Sequence, residues 1–175
     1  PGHDAVAGRA IRVRNPLSER HAVLRADLVG SLLEVLAHNE RRGRGDVAVF
    51  EIGKGYAAGV ADAPAEWWRV GFLLAGTAVP ASWSLPGRPW DVEDAKALVA
   101  LLARVVGAPE PTFLARRDGA PLHPGRAARV AAGGRLAGLV GEVHPAVLAE
   151  WDLRAERVIV GELAVAGLEA GQLPA

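Results

Sequence analysis

The chain has 175 residues, half of them hydrophobic, with 20 Lys and Arg against 20 Asp and Glu and no cysteine. This length and apolar content suit one compact domain with a sizeable core and exclude a wholly disordered chain. Disulfides, thiolate zinc sites, iron–sulfur clusters and a cysteine nucleophile are excluded with cysteine, and a formal net charge of zero gives no electrostatic footprint for nucleic acid.

In chain order, residues 11–14 alternate apolar and polar side chains, which predicts a half-buried strand ended by Asn15-Pro16. Asp27 is the expected cap of a helix in which Leu28, Leu32, Val35 and Leu36 recur at helical spacing. Arg41-Arg42-Gly43-Arg44-Gly45 stops that helix, with cations near the last carbonyls and glycines to break it. A strand over 47–52 is expected to turn at Gly53-Lys54-Gly55, and another over 69–75 is introduced by Trp67-Trp68. Residues 76–89, which contain Pro80, Pro86 and Pro89, read as a loop. The clearest helix follows: Asp91 caps it, Asp94 stands in its first turn, and Val92, Ala95, Leu98, Val99, Leu102 and Val106 line one face. Gly107 and Pro109 close it.

Residues 112–115, 127–132, 136–143 and 158–163 are short and strand-like, Gly133-Gly134 suits a hairpin turn, and Pro145 suits the first position of a short helix. Most of these strands are joined by segments too short for a crossover helix, so the expected class is α+β, a mainly antiparallel sheet flanked by helices. Residues 1–175 read as a single domain, with 1–9 and 167–175 as trimmed linkers. The start at Pro1-Gly2-His3-Asp4, without Met, reads as that of an excised piece. No apolar run reaches the roughly 18–20 residues a membrane helix needs, and no membrane partner is expected.

Motifs that carry chemistry are scarce. The glycines of Gly53-Lys54-Gly55-Tyr56-Ala57-Ala58-Gly59 are one residue too widely spaced for a dinucleotide fingerprint and read as turn glycines, and no phosphate-cradling P-loop pattern exists. The five histidines lack metal-site spacing. His123 and His144 each precede a proline, which biases the backbone to extended geometry, and they read as loop or helix-entry residues. Glu51 and Glu142 lie in apolar strands, where a lone carboxylate is expensive unless paired. Two alternatives stay open: a small autonomous enzyme using Glu51, Glu142 and His144, and an RNA-binding module using Arg41, Arg42 and Arg44. The balanced charge disfavours the second.

Seven stretches taken in order resemble one family: Asn15-Pro16-Leu17-Ser18-Glu19, Val23-Leu24-Arg25-Ala26-Asp27-Leu28, His38-Asn39-Glu40-Arg41-Arg42-Gly43, Val49-Phe50-Glu51-Ile52-Gly53, Leu122-His123-Pro124-Gly125-Arg126-Ala127, Gly141-Glu142-Val143-His144-Pro145 and Gly161-Glu162-Leu163. The family is the β subunit of bacterial phenylalanine–tRNA ligase, and the resemblance runs from about Ala7 to Leu168. It implies a catalytic-like module whose antiparallel sheet is similar to class II synthetase catalytic domains but does no chemistry. The whole enzyme would attach phenylalanine to its tRNA with ATP and Mg2+ in the cytoplasm, as an α2β2 heterotetramer with catalysis in the α subunit. Class II catalysis uses an arginine in a strand-loop-strand motif and another in a final strand-helix motif. Here residues 47–56 offer only Lys54, and no basic residue follows Arg157. Without those cations a developing phosphate charge has no fixed clamp. The resemblance therefore implies no catalytic, cofactor-binding or metal-ligating residue in this chain. A further helix that would supply a subunit interface should precede residue 1. Weak self-association through apolar surface is also expected, with Leu17, Val23, Leu24, Trp67 and Trp68 as candidates.

Overall fold

A run of Leu and Val at helical spacing builds the first long element, and a computed structural model describes it together with residues 11–15, 22–59, 64–118 and 121–169. Helix α1 (Val29–Glu40) buries Val29, Leu32, Leu33 and Leu36, and the turn that follows it reaches Gly43, whose φ of 76° is a left-handed conformation suited to glycine. Asp27 stands one residue before the cap position, which Leu28 occupies, although its carboxylate accepts the Val29 N–H at 3.1 Å. Strand β1 (Val47–Ala58) pairs without interruption with β2 (Pro64–Ala75). Strand continues through Gly53-Lys54-Gly55, which corrects the expected turn, and β2 starts at Pro64 rather than at residue 69. The two glycines are sites of close approach: a Cβ on Gly53 would meet the Arg25 guanidinium, and one on Gly55 would lie 2.5 Å from the Ala26 carbonyl oxygen.

The expected loop over 76–89 contains a small antiparallel pair, β3 (Thr77–Val79) with β4 (Arg88–Pro89). Helix α2 (Val92–Val105) begins with a reciprocal capping box between Asp91 and Asp94, and Gly107 follows at a φ of 71°. The chain then forms β5 (Thr112–Ala115), β6 (Leu122–Ala132), β7 (Arg135–Val143), α3 (Pro145–Glu150), β8 (Val158–Ala164) and α4 (Val165–Glu169). Gly133 and Gly134, both at positive φ, make the tight β6–β7 connection. Strand β6 begins five residues earlier than expected. Where linker was expected from Gly167, α4 instead packs on the sheet, buries Leu168 and brings Gly167 close to Ala137. Residues 11–14 form a single bridge, Arg12 to Val23, rather than a strand.

The expected α+β class is observed. Six strands form one antiparallel sheet in the order β1-β2-β8-β7-β6-β5, so the last strand lies in the middle. Two apolar layers sandwich it. On one face α1 packs with Leu73, Leu139, Val158 and Val160, and on the other α2 and α4 pack with Leu74, Val130, Val140, Ile159 and Leu163.

Candidate functional site

The middle of the α1-facing side is occupied by an ion pair in an apolar setting. Gly71 of β2 has no side chain, and Leu28 and Leu32 fill the space above it; a Cβ there would lie 3.1 Å from the Leu28 Cβ. Glu162 stands opposite Gly71 on β8 and is 0% exposed. One of its oxygens accepts from Arg69 Nη1 at 2.5 Å, and the other accepts the Leu28 N–H at 3.3 Å. The Arg69 guanidinium lies 5.0 Å from the centre of the Trp67 ring. Burial pushes the Glu162 carboxyl up to about 7, against the pull of the neighbouring Arg69 charge. With Leu28, Leu32 and Leu73 packed around this pair, the sheet centre is closed and its charges are matched.

The sequence-predicted acids do not converge. Across the rungs Glu51, Gly71, Glu162 and Leu139 share the α1 face, whereas Glu142 sits opposite Ile159 on the other face. Glu51 also lies three strands away from Glu142 in sheet order, tied to Arg25 at 2.5 Å. The buried Glu142 carboxylate is held by Arg126 at 2.8 Å and Arg157 at 3.3 Å. His144 caps α3: its Nδ1 accepts the Ala146 N–H at 3.1 Å, and its ring stacks on His123 with centroids 6.0 Å apart. His123 Nδ1 in turn accepts the Gly125 N–H. Each Nδ1 lone pair is thus engaged, which places the ring proton on Nε2 and leaves no lone pair for a metal in this arrangement. Among the described residues no group of three or more His, Asp or Glu is placed to hold a metal ion.

Arg41, Arg42 and Arg44 are exposed at the end of α1, where Arg42 Nη1 donates to the His38 carbonyl in the manner of a solvated helix end. Lys54, the cation in the strand where an arginine would be needed, pairs with Glu66 at 2.6 Å and lies 5.3 Å over the Trp68 ring. A cleft of about 940 Å3 opens between the end of α1, the β3–β4 arm and the segment before β8. Three of the four acids that line it are engaged by the protein itself: Glu40 accepts the Arg154 and Ala155 N–H groups, Asp46 accepts that of Thr77, and Glu142 holds its two arginines, while Glu156 faces the exposed rim. No histidine, serine or tyrosine lines it among the described residues. The Arg69–Glu162 pair itself escaped sequence reasoning; the signal available was a Glu inside the apolar run of β8 and an Arg inside that of β2, each demanding a partner.

The chain has relatives. A model of the phenylalanyl-tRNA synthetase β-chain CLM domain matches residues 3–165. The chain belongs to that family. It is 38% identical over 168 residues to a phenylalanine–tRNA ligase β subunit of Symbiobacterium thermophilum, covering 95% of this chain and 18% of the relative. It is 36% identical over 163 residues to that of Neisseria meningitidis serogroup A, covering 93% of this chain and 20% of the relative. It therefore spans about a fifth of the length of these relatives. In three dimensions it is similar to pyrrolysyl-tRNA synthetase from Desulfitobacterium hafniense, with a TM-score of 0.61 at 14% identity over 83% of this chain and 48% of that one. At that identity the likeness concerns the fold alone. No helix among the described residues is long and apolar enough to cross a membrane.

Proposed function

We propose that this CLM domain is a non-catalytic assembly module of a phenylalanine–tRNA ligase, holding the β subunit to an α subunit that joins phenylalanine to its tRNA in an α2β2 enzyme of the cytoplasm. The observation that carries the non-catalytic reading is the closed sheet centre. Leu28 and Leu32 pack over the buried Arg69–Glu162 pair, so among the described residues the middle of this face is filled and presents no free acid, base or nucleophile. Two features of the strands support a chain that holds neither ATP nor Mg2+. Lys54 is committed to Glu66, and β8 and α4 carry no basic side chain to meet a phosphate. No step of phosphate chemistry is therefore assigned to this chain. RNA contact through Arg41, Arg42 and Arg44 is less well supported, since Arg42 caps its own helix and the chain carries no net charge.

Two measurements test this reading. Phenylalanine-dependent ATP–pyrophosphate exchange by the 175-residue chain should stay at background, and exchange above it would overturn the non-catalytic assignment. A tagged chain should retain the α subunit of a phenylalanine–tRNA ligase on co-purification. Failure of a full-length β subunit lacking only this segment to lose the α subunit would overturn the assembly role.

A further inference from the structure

β1 is an edge strand, and both its outer edge and one of its faces lack a neighbour among the described residues over part of its length. On the α2 side, α2 and α4 pack towards β7 and β8, while Phe50 and Ile52 of β1 and Trp68 of β2 are 74%, 61% and 53% exposed. The direction of the β1 backbone follows from two bonds. The Tyr56 N–H donates to the Arg25 carbonyl, and the Lys54 carbonyl accepts from Arg25 Nε, so even-numbered residues turn their N–H and C=O groups away from β2. Arg25 closes the edge at 54–56 and leaves residues 47–53, centred on Phe50, open among the described residues. The outward groups there belong to Ala48, Phe50 and Ile52, the same side of the pleat as the exposed apolar side chains. Devices that normally protect an edge are missing from this stretch: it has no proline, its pairing with β2 runs without a bulge, and Glu51 is turned to the other face and tied to Arg25.

We propose that this edge pairs with the same edge of a second copy of the chain. The two strands run antiparallel about a two-fold axis at Phe50, so that two six-stranded sheets join into one. Phe50 then faces its counterpart, Ala48 faces Ile52 of the other copy, and three pairs of outward groups exchange main-chain hydrogen bonds. The same register puts Asp46 of each copy at the end where Lys54 of the other stands, opposite charges at both ends, each also held within its own copy by the Thr77 N–H and by Glu66. Five paired residues span roughly 17 Å of edge and bury a few hundred Å2 per copy, well short of the ~800 Å2 per partner of a stable interface. The pairing is therefore weak and builds up with concentration. Of the residues expected to drive self-association, Trp68 borders this face, Val23 is exposed beside the capped end, Leu24 and Trp67 are half-buried and take no part, and Leu17 lies outside the described residues.

Sedimentation equilibrium of the 175-residue chain from micromolar to millimolar concentration tests the proposal, combined with hydrogen exchange at each end of the range. A monomer–dimer equilibrium is expected, with the amides of Ala48, Phe50 and Ile52 gaining protection as dimer forms. Phe50→Lys, whose side chain stays in solvent in the monomer, should weaken association at least about tenfold. Phe50→Pro removes an outward donor without touching the ladder to β2 and should do the same. Trp83→Lys, at a fully exposed tryptophan in the 76–89 segment, should leave the dimer unchanged. A constant monomer mass, a dimer indifferent to Phe50→Lys, or equal loss in Trp83→Lys would each overturn the edge pairing, and none of them bears on ligase assembly.

Discussion

Glu162 and Leu28 are 134 residues apart in sequence, yet the side chain of one receives the N–H of the other at the start of α1. The same carboxylate holds Arg69, so a single buried acid joins β8, β2 and the first long helix. Its removal should be felt as an uncompensated charge.

Above pH 8, where the Glu162 carboxyl is ionised, Glu162→Ala leaves the Arg69 guanidinium buried without its acid and should cost about 3–5 kcal/mol in urea unfolding. Replacing both partners, Arg69→Met with Glu162→Leu, should cost clearly less, because no charge is then stranded. A double variant as unstable as the single one would show that packing rather than charge sets the penalty.

The raised Glu162 pKa has a signed consequence. The folded protein holds its proton up to about pH 7, whereas the unfolded chain releases it near 4.5, so the native state binds more protons between those values. Stability contributed by this group is full below pH 4.5 and falls, by on the order of 3 kcal/mol, as pH rises through 7. Denaturation midpoints of Glu162→Gln should lack this slope between pH 5 and 7, and an unchanged slope would place the titration elsewhere.

His144→Ala should lose about 0.5–2 kcal/mol, since the Ala146 N–H loses its acceptor and the His123 ring its stacking partner. His144→Asn supplies another capping acceptor without the ring and should fall between wild type and alanine. Elemental analysis should show no stoichiometric transition metal in any of the three; a metal lost with the imidazole would refute the capping role.

Gly138 marks the tightest strand contact. A Cβ there would lie 2.0 Å from the Glu162 carbonyl oxygen and 2.8 Å from the Leu163 Cα, both on the neighbouring β8 backbone. Gly138→Ala must therefore spread β7 from β8 and should cost about 3 kcal/mol or more, beyond ordinary overpacking. Calorimetry giving a loss below 1 kcal/mol would mean the two strands adjust freely.

Where local chemistry decides the structure, the sequence was readable. Asp91 and Asp94 build the capping box they predict, Gly133-Gly134 makes the hairpin, and the short connections indicate an antiparallel sheet. Turn glycines and close-approach glycines look alike in sequence, so Gly53 and Gly55 read as a turn although strand runs through them. Asp27 looks like a cap, but the Leu28 N–H is claimed by a distant acid, and the helix starts one residue later than the local signal suggests. Of the candidate site, the need of Glu142 for a partner was legible, but Arg126 and Arg157 as its holders, and the Arg69–Glu162 pair, depend on strand order. Strand order sets β2 beside β8 and brings residues 69 and 162 together on the diagonal, and no local pattern encodes that.

The position of β8 also shapes how the chain reaches its native state. The β1–β2 and β6–β7 hairpins are local in sequence and close over short loops, but neither touches the other until the strand at 158–164 enters between them. During synthesis the central piece emerges last, and both hairpins wait with apolar faces uncovered while it is made. The contacts that join the hairpins are non-local, a topology that favours slow folding for a domain of this size. A chain cut before Val158 loses not a rim but the keystone of its sheet, and its two halves lose the strand that joins them.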